Sequence, residues 1–180
     1  IGTVVGTSLT FGAGAVFHTP YYPYFFSIAV MSPTQFALCY SKNDDSWNAT
    51  AKVATVSGTD ITYGAEMEFL SANGVTDFMS AVKLSSDKFA VLYRDSADAN
   101  HGTGKIGTVV GTDISFGAEA EFLAANGPLY ISACPLGAGA FVIAYQDGAD
   151  SSRGTVKIGT ESTLAGSAWT EYQASGSVCG

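Results

Sequence analysis

Residues Thr3–Ala13 read TVVGTSLTFGA, Thr55–Ala65 read TVSGTDITYGA and Thr108–Ala118 read TVVGTDISFGA. Their starts, at 3, 55 and 108, lie 52 and 53 residues apart. The same period governs the rest of the chain. Tyr40, Tyr93 and Tyr145 recur at intervals of 53 and 52, and each is followed twelve residues later by a lysine: Lys52, Lys105 and Lys157. One unit of about fifty residues is therefore used three times.

The middle copy shows what the unit is. Thr76–Leu84 is a strand rich in small and apolar residues, and Ser85–Asp87 turns the chain. Lys88–Arg94 (KFAVLYR) is a second strand, and Asp95–Gly102 is a polar loop. Thr103–Val110 is a third strand, Gly111–Asp113 a hairpin turn of the kind glycine favours, and Ile114–Leu123 a fourth strand. On the fourth strand Phe116, Ala118, Ala120 and Phe122 alternate with polar residues, as on a half-buried strand. No capping box precedes a helical run, so no helix is expected. With 21 Gly, 11 Phe and 9 Tyr, the composition suits strands and tight turns.

Four-stranded antiparallel units repeated at this period resemble the blades of β-propellers. The resemblance covers the whole chain and implies an all-β fold with a small, apolar innermost strand in each blade. It implies a half blade at 1–17, full blades at about 22–69, 76–122 and 129–174, and a Gly/Ser tail at 175–180. The chain lacks the Trp-Asp ending and the other boxes that mark particular propeller families, so no family's site residues are carried over. Three and a half blades are few for a ring. The expected partners are therefore further blades of the same protein, a second copy, or other protein chains.

Hydrophobic residues make up 47% and charged residues 13% of the chain, which excludes disorder. The net charge is −8 and no Lys/Arg cluster occurs, so nucleic acid is not an expected partner. No apolar run is long enough to span a bilayer. The Asn48-Ala-Thr50 glycosylation triplet, the acidity and a cysteine near the end, Cys179, together point to an extracellular setting. Cys179 is the disulfide candidate; Cys39 falls in a core strand, and the odd count of three cysteines leaves one thiol over.

An aspartate follows each marker tyrosine by five residues: Asp45, Asp98 and Asp150. Carboxylates repeated in loops could hold Ca²⁺. No Asp-x-Asp-x-Asp-Gly spacing is present, and closing the loop through its own backbone is the preferred role. No other cofactor and no other metal is expected. Glu66/Glu68 and Glu119/Glu121 are paired carboxylates, as acid–base hydrolysis would need. The first copy carries Gly14 and Val16 there instead, and Lys52–Glu66, Lys105–Glu119 and Lys157–Glu171 fit cross-strand ion pairs on a solvated face. His18 and His101 fall at different phases of the repeat, without an evident metal set, and no nucleophile motif is readable.

The first crossover differs from its copies. It reads His18-Thr-Pro-Tyr-Tyr-Pro-Tyr-Phe-Phe26, and its Tyr21, Tyr22 and Tyr24 are contact candidates. Trp47 replaces Asn100 and Ser152 of the sister loops and is a fourth. The resulting expectation is a non-catalytic extracellular scaffold for assembly or recognition. The alternative is a carbohydrate-binding, lectin-like propeller, against which the clustering of aromatics in one copy counts. A hydrolase domain is the third reading.

Overall fold

The computed structural model describes residues 1–19, 22–43, 47–71, 76–124, 127–166 and 169–172. β1 (Gly2–Val5) and β2 (Ser8–Phe11) form a hairpin. The first full sheet comprises β3 (Pro23–Ser32), β4 (Gln35–Lys42), β5 (Ala49–Ser57) and β6 (Asp60–Tyr63), with β7 (Met67–Leu70) also paired to β5. The second repeats this order with β8 (Thr76–Lys83), β9 (Lys88–Asp95), β10 (His101–Val110), β11 (Asp113–Phe116) and β12 (Ala120–Leu123). The third comprises β13 (Pro128–Gly137), β14 (Ala140–Asp147), β15 (Arg153–Thr160) and β16 (Thr170–Tyr172), with α1 (Glu161–Leu164) before β16. Every strand pairing is antiparallel. The protein is thus all-β, as its composition and periodicity require.

The repeated motif is a hairpin with a two-residue loop. Val5 pairs with Ser8, Ser57 with Asp60 and Val110 with Asp113. The first loop residue, Gly6, Gly58 or Gly111, has φ of +63°, +61° or +64°. The threonine after it keeps negative φ. That combination is a type II′ turn, whose twist matches its strands and which takes glycine first.

Two details depart from the sequence reading. The fourth strand, expected unbroken over 114–123, is split into β11 and β12. Gly107 pairs with Phe116 and Gly104 with Ala120, so a step of three residues on β10 meets a step of four opposite it. The extra residue cannot pair and interrupts the strand. The third copy also contains a helix where none was expected. Thr160-Glu-Ser-Thr163 stands where the second copy has Thr108-Val-Val-Gly111 leading into its turn, and Thr160 and Thr163 cap each other reciprocally. Threonine replaces the usual Glu/Gln of a capping box, which hid the signal.

The sheets stack in series, with β3 against β8 and β8 against β13. The middle sheet is covered on both faces, which explains the unbroken apolar run of β9. Phe89, Val91 and Tyr93 enter one core, where they meet Ala29, Ala37, Cys39, Ala51 and Val53 of the first sheet. Ala90 and Leu92 enter the second core with Ile131, Phe141, Ile143 and Leu164 of α1. Small residues on one sheet thus face large ones on the next. Gly107 lies under Phe89, and a Cβ there would meet the ring at 2.3 Å and Phe116 at 3.0 Å. Gly107→Ala is expected to destabilise the fold by about 1–3 kcal/mol in chemical denaturation, the usual range for overpacking.

Serines tie the first strands together. Ala81 N–H donates to Ser27 Oγ at 2.8 Å, and Ala133 N–H donates to Ser80 Oγ at 3.0 Å. In both cases the acceptor belongs to the preceding sheet.

Candidate functional site

In each of the first two copies the marker residues converge on a polar cluster. Tyr40 OH donates to Glu66 Oε1 at 2.7 Å, and Lys52 Nζ lies 3.0 Å from the same oxygen. Tyr93 OH donates to Glu119 Oε1 at 3.0 Å, and Lys105 Nζ lies 3.1 Å from it. In the third copy Lys157 and Glu171 are register partners. The lysines also cross between repeats: Lys52 donates to Phe17 O at 2.7 Å, Lys105 to Phe69 O, and Lys157 to Phe122 O at 2.7 Å. The expected pairs are therefore present in the first two copies, but their lysines are mostly buried, and that of Lys157 is only 7% exposed. They are inter-sheet ties rather than surface charges. Sequence reading placed them on a solvated face because it could not see the preceding repeat lying against them.

Burial alone would raise the Glu66 pKa. Hydrogen bonds from Tyr40, Lys52 and Lys42 outweigh that and bring it from 4.5 to about 2. A carboxyl group so held is ionised throughout the neutral range and has no proton to give as a general acid. Because its folded value is depressed, its stabilisation is complete above about pH 4.5 and is lost as pH falls toward 2. Glu66→Gln is expected to cost about 1–2 kcal/mol at neutral pH, the gap from wild type closing between pH 4.5 and 2 in acid titrations followed by circular dichroism.

The loops after Tyr93 and Tyr145 close on their own backbone. Asp95 Oδ1 accepts from Ala97 N–H at 2.9 Å and Asp98 N–H at 3.3 Å. Asp147 Oδ1 accepts from Ala149 N–H and Asp150 N–H at the same distances. The turn-forming residue stands two places after the tyrosine, while Asp98 and Asp150 five places after it point their side chains elsewhere. Burial raises the Asp95 pKa despite these bonds. Asp45 lies outside the described residues.

Asp98, His101 and Glu121 offer ligand atoms within 4.8 Å of one another, a grouping that the sequence did not reveal because Glu121 comes from another strand. His101 Nδ1 lies 3.2 Å from Glu121 and 3.3 Å from Asp98. The sister positions of His101 also carry hydrogen-bond donors. Asn48 Nδ2 donates to Glu68 Oε1 at 2.9 Å, and Arg153 Nη1 lies 3.3 Å from Asp150 Oδ2. His101 thus fills a loop-fastening position common to all three copies. Asn48, the glycosylation candidate, is half-buried with its amide engaged in that contact. His18 is held by Glu66 at 3.3 Å and lines a pocket of about 310 Å³ with Lys52, Glu66 and Thr19.

A different set of residues forms the most distinctive surface. The first strand of each sheet carries a bulge, between Tyr24 and Ser27, Asp77 and Ser80, and Leu129 and Ser132. An aromatic residue in left-handed backbone sits in every one: Phe25 (φ 49°), Phe78 (φ 49°) and Tyr130 (φ 54°). Their rings form a ladder, with centroids 6.5 Å apart from Phe25 to Phe78 and 5.3 Å from Phe78 to Tyr130. Tyr24 extends it, 6.3 Å from Phe25, and Trp47 stands 5.2 Å from Tyr24. Trp47 is left-handed too, at φ 57°, as are Asn100 and Ser152 in the sister loops. Arg94 donates to Asp77 through Nε at 2.6 Å and through its terminal nitrogen, and its guanidinium lies 4.9 Å over the Phe78 ring. No protein-family model and no curated protein matches this chain.

Tyr24 and Trp47, singled out from the sequence, therefore meet. Tyr22 is exposed beside them in sequence, while Tyr21 and Cys179 lie outside the described residues. Cys39 is buried, with its thiol pKa pushed up by burial, and Cys134 is exposed. Phe25, Phe78 and Tyr130 were missed. The available signal was their spacing of 53 and 52, and the exposed Tyr130 carries the aromatic surface beyond the first copy, where the sequence concentrates it.

Proposed function

We propose that this chain is a non-catalytic recognition module, built of propeller-type blades, that binds extended carbohydrate along the aromatic ladder. The observation that carries the reading is the backbone. Bulky residues in the left-handed region are genuine outliers. Each costs on the order of 1–3 kcal/mol, and such strain gathers at ligand clamps. Here it recurs at Phe25, Phe78 and Tyr130, at one phase of every repeat, and again at Trp47.

The ladder is one ring wide and several rings long. A sugar chain offers a matching series of apolar ring faces with hydroxyl rims. Tyr and Trp present apolar bodies with polar tips, which suits such ligands, and the Asp77–Arg94 pair lies alongside. A repeating ligand also gains avidity from a repeating surface. Adjacent first strands in successive sheets support the blade arrangement. The acidic, sequon-bearing composition supports an extracellular setting. Titration calorimetry with soluble oligosaccharides of increasing length tests the reading. Affinity should rise with each added sugar until the ladder is covered. Equal affinity for a monosaccharide and its oligomers would contradict it.

A further inference from the structure

The two outermost sheets expose faces that are covered everywhere else in the stack. On the first sheet Phe26 is 60% exposed, and Ile28 and Val30 are also exposed. With Phe17, Phe36, Leu38, Ile61 and Tyr63, Phe26 and Ile28 line an apolar cavity of about 550 Å³. The equivalents on the second sheet, Met79, Ala81, Phe89, Val91 and Ile114, are buried beneath the first sheet. At the other end, Leu136 is 56% exposed, and Cys134, Ala144 and Val156 are exposed. Their equivalents on the second sheet include Leu84, Val82 and Leu92, all buried against the third.

Each open face is thus one half of a junction that the molecule already makes twice. The serine ties say the same. Ser27 and Ser80 accept from Ala81 and Ala133 of the following sheet. Ser132 continues the acceptor series and is exposed, while Ile28 holds the donor position of Ala81 and Ala133 at the opposite end.

We propose that a second copy of this chain docks its third sheet on the open face of the first sheet. In this arrangement Leu136, Cys134 and Ala144 cover Phe26, Ile28 and Phe36, and Ser132 accepts from Ile28 N–H. Residues 12–18 of the receiving chain already overlie the outer part of that face, where Tyr63 OH donates to Ala15 O at 3.3 Å. Docking therefore uses the inner part, through β13 and β14. The contact is heterologous: different patches meet, and it closes into a ring if the rotation allows. Contiguous exposed apolar residues of this kind mark interaction sites. The inference rests on the stacking of the sheets and not on the ligand proposed for the ladder.

Two blocked variants test it, Phe26→Glu/Ile28→Glu on one face and Leu136→Glu/Ala144→Glu on the other. Both change exposed positions, and a native-like circular dichroism spectrum with a cooperative thermal transition verifies their folding. In sedimentation equilibrium the native chain should show at least twice the chain mass across the micromolar range. Each variant alone should be monomeric, and their equimolar mixture should form a 1:1 dimer, since one intact junction remains. A monomeric native chain, or a mixture that stays monomeric, would overturn the proposal. Neither outcome touches sugar binding, which is read separately.

Discussion

A chain carrying Tyr130→Gly should be as stable as the native protein or up to about 1 kcal/mol more stable, yet bind its ligand about thirtyfold more weakly. Tyr130 is 71% exposed, so its removal surrenders little buried surface. Its φ of 54° is costly for any residue with a Cβ, by about 1–2 kcal/mol. Glycine removes that cost and returns roughly 0.5–1 kcal/mol of it as unfolded-state entropy. Binding moves the other way, because truncating an aromatic hot-spot residue typically costs about 2 kcal/mol or more. A residue placed only for packing would show the opposite: lower stability with unchanged binding. Thermal denaturation and calorimetry on the same preparation separate the two. Tyr22→Gly, at an exposed tyrosine outside the ladder, serves as the control.

Lys105→Met should destabilise the protein by about 2–4 kcal/mol in guanidinium unfolding. The lysine joins Glu119 on its own sheet to Phe69 O on the preceding one. Methionine fills the volume but leaves the carbonyl without its donor and the carboxylate with Tyr93 alone. Tyr93 is itself harder to ionise, first through burial and then through the charge of Glu119, so it remains a hydrogen-bond donor. Adding Glu119→Gln to Lys105→Met should therefore cost less than the sum of the two single changes, as coupled neighbours do. Strict additivity would show that the lysine and the glutamate stabilise the fold independently of each other.

The repeat period and most strand ends were legible because alternation and turn chemistry are local. Lys88–Arg94 was read as a strand, and β9 is Lys88–Asp95. The tyrosine, lysine and glutamate of the inter-sheet tie were each found, but the lysine's bond to a Phe carbonyl of the preceding repeat was not, since it joins residues 35 or 36 apart in sequence. The break between β11 and β12 escaped because one unpaired residue leaves no mark in composition. The ladder escaped for a different reason. Nothing about the residue types of Phe25, Phe78 and Tyr130 marks their backbone as left-handed; only the pairing of β3 with β4, β8 with β9 and β13 with β14 exposes the bulges. His101 likewise looked solitary, because Asp98 and Glu121 reach it from a loop and from β12.

The most direct test of the ladder compares the native chain with Phe25→Gly/Phe78→Gly/Tyr130→Gly on one immobilised oligosaccharide panel, each first verified as folded by circular dichroism. The native chain should bind one class of extended glycan reproducibly, and the triple variant should bind none. A native chain that binds no glycan, or a folded triple variant that binds as well as the native protein, would contradict the assignment of the ladder as a carbohydrate-binding surface.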